Sequence, residues 1–587
     1  MFAPRSRGAF GPMAIGLLAA VAACTNGTEP KISNCDAANA LSFAVGEVQT
    51  PLAGTCVFVN GGTAGGEYAL VAFNSDTSYA TAASLNLTAS SVSTVSTPLK
   101  ELIPAASPMY NVVPSLSGSA SPLEWMPSYE FQLRESERRV LRPLIPAARA
   151  WYRGRTTSSG GTGLRPSFST SAATWAVGDT VALNTKSGNT LAAACQTPDI
   201  RYGRVVAITN HAIVVADTGN PTGGYTDPEY LTIGIQFDTV FTMDSTAFGA
   251  ATDIDSNGKI IMLFTRAVNE LTPQASTSVV GGFFYGRDLF PKADDPILGP
   301  GSGCPTSNVA EMFYLLVPDP NGVVNGNVRT KTFVSHLTVS TTAHEFQHLI
   351  NASRRLYVNT AATDFETVWL NEGLSHVAEE LLFYRQSANL TPRMDIDSVQ
   401  IRADPKNIDA YNFDQQSNFG RLRLYLAKPS SNSPYAPNDS LETRGATWSF
   451  LRYAADHRGT SDGDTWFKLV NSTTTGIQNL QNVFGSGLPA LFRDWAVATI
   501  ADDVPGVASE WQEPSWHFRS MWVALTANTT KSYPLATVTV GDGSPLSLSL
   551  KGGSATYVRF TVASGQTGSV SWGTPPSKMT ITLVRLK

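Results

Sequence analysis

The chain is poor in the residues that do most metal and acid–base chemistry, with seven histidines and five cysteines in 587 residues. Charge is also scarce, at 15% of residues, and the formal net charge is −5. A charge-poor, mildly acidic chain argues against a nucleic-acid binder. Past the N-terminus, no apolar run approaches the about 20 residues needed to cross a bilayer. No cysteines have the spacing of a zinc–thiolate site. Gly, Ser, Thr and Pro are abundant instead, which suits a β-rich exported protein, and the length allows three or four domains.

Against so few histidines, the segment His344-Glu345-Phe346-Gln347-His348 stands out. By chance an HExxH would occur on the order of a few times per thousand such chains. On a helix it sets two imidazoles one turn apart on one face, where both can bind a single zinc ion. Glu345 then faces the metal's water and can take its proton, while Glu372, in Asn371-Glu372-Gly373, is placed to be the third ligand and leave one position open. The plainer alternative is a surface helix with two solvated histidines. Helical periodicity argues against it: Phe346, Leu349, Ile350, Ser353 and Tyr357 form one stripe, with His344, His348 and Arg355 opposite. Leu370, Leu374, Val377, Ala378 and Leu381 form an apolar face in the next segment, with Glu372, His376, Glu379 and Phe383 on the other side. Two such helices imply a metal held between them.

The stretch Thr342 to Asn351 followed by Trp369-Leu370-Asn371-Glu372-Gly373-Leu374-Ser375 resembles the gluzincin zinc peptidases of the hyicolysin type. Asp253 to Ile260, Gly281 to Tyr285, Asn308 to Leu315 and Gly445 to Tyr453 fit the same pattern, so the resemblance covers roughly residues 225 to 505. It implies a multidomain α+β protein: a gluzincin-type core of small sheet, zinc helices and helical lobe, flanked by β-sandwich or barrel modules. Relatives commonly carry a carboxylate four residues after the third ligand. This chain has His376 there, and Glu379, one turn on, is the residue expected to orient a zinc histidine.

The expected reaction is peptide hydrolysis by an endopeptidase, with zinc lowering the pKa of its water and polarising the scissile carbonyl. Glu345 would pass the water's proton to the leaving amine. Tyr411, Tyr435, Arg444 and His457 are candidates to donate to the oxyanion. The rival from another class is a surface binding or adhesion protein that uses the fold as scaffold; a decayed enzyme would usually have lost Glu345 or a ligand.

Arg5 and Arg7 precede an apolar run from Met13 to Ala23, as in an export signal, ending in Val21-Ala22-Ala23-Cys24, which resembles a bacterial lipobox. The expectation is a signal peptide over 1–23, a lipid-bearing Cys24 as membrane anchor at the cell envelope, and a tether over 24–33; the alternative is ordinary secretion. Cys35, Cys56, Cys195 and Cys304 then remain as an even set, with nearest neighbours paired as the simplest of three connectivities. Alternating strands suggest a β-sandwich over 34–100, a small β-barrel over 166–218 and a second sandwich over 520–587, around a catalytic region over 219–510. Residues 101–165 are Pro- and Ser-rich and then basic, a helical linker or, more sharply, a removable propeptide covering the cleft. Asp253-Ile254-Asp255-Ser256-Asn257-Gly258 is like the start of a calcium loop, but the twelfth position is Phe264 rather than Glu, so a strand-entry turn is the expectation.

Overall fold

The computed structural model describes residues 35–99, 127–157, 175–188, 190, 192–276, 279–525 and 532–587. The expected signal sequence and Cys24 lie outside the described residues. Among those described, no helix is long and apolar enough to cross a membrane. The architecture is α+β: two sheets from the ends of the chain, and a third sheet with most of the helices between them in sequence.

The two terminal segments, expected as separate sandwiches, build a single one. Gly66–Asn74 pairs antiparallel with Ala555–Val562 on one side and with Met579–Arg585 on the other. In the facing sheet, Ala83–Ser90 lies between Leu546–Leu550 and Thr567–Ser571. The reason is visible in Gly66–Asn74, whose residues after Gly66 are all buried. A strand apolar on both faces must be central and covered on both sides, and its own segment has too few strands to do that. Tyr68, Leu70 and Ala72 face the sandwich interior, while Ala69, Val71 and Phe73 join the core of the helical body.

The proposed barrel over 166–218 is likewise not separate. Its strands, β1 (Thr180–Asn184), β2 (Ile200–Ile208) and β3 (Ala212–Asp217), continue into β4 (Ile260–Phe264), β5 (Gly282–Phe284) and β6 (Met312–Leu315) as one sheet in the order β5-β6-β4-β3-β2-β1. β3, β4 and β6 run parallel, and the ends of the sheet are antiparallel. Every residue of β4 and β6 is buried, as their unbroken apolar runs require of parallel strands covered on both faces. β5 is an edge. Disulfides join Cys35 to Cys56 in the sandwich and Cys195 to Cys304 beside this sheet.

The basic segment is helical where described: α1 (Pro127–Ser136) and α2 (Ile145–Thr157). It is no solvated linker, since Arg134, Leu133, Leu141 and Leu144 are buried against the body. The long helices follow: α3 (Asp227–Phe248), α4 (Lys331–Ser353), α5 (Val368–Gln386), α6 (Gln416–Ala427) and α7 (Leu441–His457). α3 starts at a capping box, with Thr226 N–H donating to Glu229 at 2.7 Å, and α4 starts where Thr330 accepts from Phe333 N–H at 3.2 Å. Close backbone approach packs α5, α6 and α7. A Cβ on Gly373 would sit 2.4 Å from Thr447 Cγ2, and one on Gly445 would sit 2.3 Å from the Arg421 carbonyl carbon. These two glycines bring Arg444 and Arg421 onto α5.

Candidate metal centre

α4 and α5 run side by side in opposite directions, so His348 meets Asn371 and Ser375 while His344, one turn earlier, meets Glu379. The helices do not expose the faces opposite their apolar stripes. α1, α6 and α7 cover them, and His344, His348 and Glu372 are all buried.

The three candidate ligand groups, two imidazole nitrogens and one carboxylate, form a triangle in which each histidine faces a different oxygen of Glu372. His344 Nε2 lies 3.2 Å from His348 Nε2; Glu372 Oε2 is 3.4 Å from the first and Oε1 is 3.5 Å from the second. Bonds of about 2.1 Å in a tetrahedral site put ligand atoms roughly 3.4 Å apart, so one small cation fits their centre. Neither Glu372 oxygen has a well-aligned hydrogen bond, although Arg444 Nη1 lies 2.7 Å from Oε2. Buried acceptors are rarely left so, and a metal would satisfy them. The charge balance points the same way. Glu130, Glu137, Glu345, Glu372, Glu379 and Asp439 are buried around the site, against the guanidiniums of Arg134, Arg444 and Arg421. A dication reduces that excess of negative charge.

Protons stand in for it without metal. Burial pushes the His344 imidazolium down, but Glu372 and Glu379 more than offset this and hold it up at about 10. Burial also raises Glu372, which Arg444 and the two histidines outweigh, keeping it well below the carboxylate range. A metal held by His344 would have to displace that proton. Glu345, pushed up to about 8 chiefly by burial, accepts from the Phe284 N–H at 2.7 Å.

The orienting groups are in place. His344 Nδ1 is 2.8 Å from Glu379 Oε1, and His348 Nδ1 is 3.1 Å from Asn371 Oδ1. Each leaves Nε2 aimed at the triangle, the arrangement that fixes a ligand's tautomer. His376 lies beside Glu379, its Nδ1 3.1 Å from Oε1, and its buried Nε2 has no hydrogen-bond partner among the described residues. Arg421 Nη1 donates to Glu379 Oε2 at 3.1 Å, completing the brace.

Of the proposed oxyanion donors, only Arg444 is brought to the centre, where Asp439 grips it at 2.9 and 2.6 Å. Tyr435 donates to Asp76 O at 2.7 Å, against the sandwich. His457 is engaged with the Tyr453 and Ser509 carbonyls. Tyr411 is buried, its ring edge-on to Phe419. Arg134 and Glu130 were not singled out for the site, because they come from the segment read as a helical linker or a propeptide. Arg134 Nε is 3.9 Å from Glu372 Oε1, and Glu130 Oε2 accepts from Arg444 Nη1 at 3.1 Å. The available signal was an acid–arginine pattern, Glu130, Arg134 and Glu137, at helical spacing.

Comparison with known proteins relates part of this chain to a protease. The chain is 29% identical over 157 residues to the neutral metalloprotease ShpI of Staphylococcus hyicus. The match spans 27% of this chain and 31% of that protein. It supports a distant metallopeptidase relationship. No family model matches the chain.

Proposed function

We propose that this protein is a zinc-dependent peptidase of the gluzincin kind, with His344, His348 and Glu372 as metal ligands and Glu345 as the general base. The observation that carries the reading is the triangle of two imidazole nitrogens and a carboxylate at 3.2–3.5 Å, with a second carboxylate following the first histidine. The imidazole-rich donor set favours zinc over calcium or magnesium. When bound, the metal supplies Lewis acidity toward water and the scissile carbonyl.

The remaining work falls to this chain's side chains. Glu345 takes the proton of the attacking water and delivers it to the departing amine, so the carboxylate ends as it began. Glu379 and Asn371 hold the two imidazoles in position. Arg444 fixes Glu372 and is held by Asp439, which makes it a positioning group more than a free oxyanion donor.

Export fits the two disulfides, which form in oxidising compartments. Lipid attachment at Cys24 is part of the proposal: labelled fatty acid should enter the wild type and not Cys24→Ala, and unlabelled soluble wild-type protein would mean simple secretion. The function itself is tested by incubating metal-loaded protein with a mixed peptide library and reading cleavage positions by mass spectrometry. Chelator-sensitive cleavage is expected. A fully metallated protein that cuts nothing, even after limited proteolysis, would leave the binding-protein reading.

A further inference from the structure

We infer that residues 127–157 occupy the substrate groove of this site and hold the enzyme inactive until they withdraw. The inference rests on the peptidase reading and concerns the regulation of the same centre. Glu345 is 2% exposed, His348 1% and Glu372 0%, so a peptide bond has no route to them in this arrangement.

What closes the route is α1 and the turn after it. β5 pairs with β6 along one edge only, and in an antiparallel ladder the N–H and C=O of one residue point the same way. Those of Phe284 point away from β6: the N–H reaches Glu345, and the carbonyl accepts from Arg134 Nη2 at 2.6 Å. Next along, Gly286 N–H donates to Glu137 Oε1 at 2.7 Å. An open strand edge beside a general base is where an extended peptide would add its own backbone hydrogen bonds. Arg134 and Glu137 take up those groups, and they are tied to each other at 2.7 Å. Arg134 and Glu130 also reach the third ligand and its arginine, so the segment covers the metal as well as the groove.

Much of the hold is polar and reversible. Arg149 donates to the carbonyls of Leu356, Arg355 and Ala362 at 2.7–2.8 Å, and Arg138 and Arg142 reach Asp364 at 3.6 and 3.4 Å. Removing the segment need not split the protein, because strands from both chain ends interleave in the sandwich.

The test places recognition sequences for a site-specific protease on each side of residues 127–157 in the full chain. Excision should raise turnover of a fluorogenic peptide at least tenfold with zinc content unchanged, and should speed zinc loss to a chelator. A synthetic peptide of residues 127–157 should reverse both effects, and the same peptide with Arg134→Ala and Glu137→Ala should do so poorly. In the uncut chain, that double substitution should itself speed chelation and raise turnover. Excision that keeps the zinc but leaves the rate unchanged or lower, or a synthetic peptide that does not rebind, overturns the inference. If the peptide rebinds and slows zinc loss but neither form cleaves any substrate, the groove assignment stands and the peptidase reading falls.

Discussion

Among the described residues three trios of ligand-type side chains bring their atoms within 4.8 Å of one another; His344, His376 and Glu379 share a histidine with the centre, which leaves two separate trios to compare: His344, His348 and Glu372, and Asp253, Asp255 and Glu311. They differ in what holds them and in what their atoms already do. The first trio sits on two packed helices, fully buried, and the Glu372 oxygens lack well-aligned hydrogen bonds. The second gathers at a turn before β4. Glu311 accepts from Ile254 N–H and Thr252 Oγ1, and Asp253 and Asp255 accept from Asn257 N–H. Burial pushes Asp255 up to about 7 and Glu311 up to about 8, so protons meet much of the electrostatic cost. Convergence of acids is thus weak evidence for a metal. Rigid placement with acceptors left over is stronger evidence.

Glu372→Ala should separate the trios most sharply. Loss of a direct ligand should weaken metal retention by more than the roughly 10- to 100-fold typical of an orienting group, read as release to a colorimetric chelator. Unchanged retention would remove Glu372 from the site. Glu379→Ala comes next, at about 10- to 100-fold in metal affinity or activity, with His376→Ala milder. If His376→Ala released metal as readily as Glu372→Ala, His376 would be a fourth ligand that closes the site.

Changes at the acidic turn should be smaller and should leave zinc alone. Asp255 and Glu311 have folded-state pKa values above their ordinary 3.8 and 4.5. Their contribution to stability is therefore complete below those ordinary values and is lost as pH rises through about 7 and 8. Glu311→Gln should flatten the fall in melting temperature between pH about 4 and about 8. Millimolar calcium at pH 8 should leave the wild-type melting temperature nearly unchanged; a rise of several degrees would make this trio a second metal site and erase the contrast.

That His344, His348 and Glu372 would converge was legible in sequence, because they lie in two short helical stretches where spacing fixes which face a residue takes. A contact of Glu379 with one of the two histidines followed from the same periodicity, and it is His344 that Glu379 meets. The sandwich was not legible as one unit, since strand patterning tells that Gly66–Asn74 is buried and not that its neighbours are some 490 residues away, as Phe560 is from Tyr68. Strands β1 to β3 were misassigned for the same reason. Arg134 lay hidden because seven arginines from Glu130 to Arg155 read only as a basic segment, and tertiary packing alone shows that one of them is buried beside Glu372.

The central claim is that Glu345 acts on water at a metal held by its neighbours without holding the metal itself. The direct measurement is Glu345→Gln, with metal content and peptide hydrolysis read on the same preparation, after excision of residues 127–157. The account predicts one zinc per chain, as in the wild type, with hydrolysis reduced by about 10²- to 10⁴-fold, the range for losing a general base. A variant that keeps its zinc and hydrolyses at the wild-type rate would contradict it.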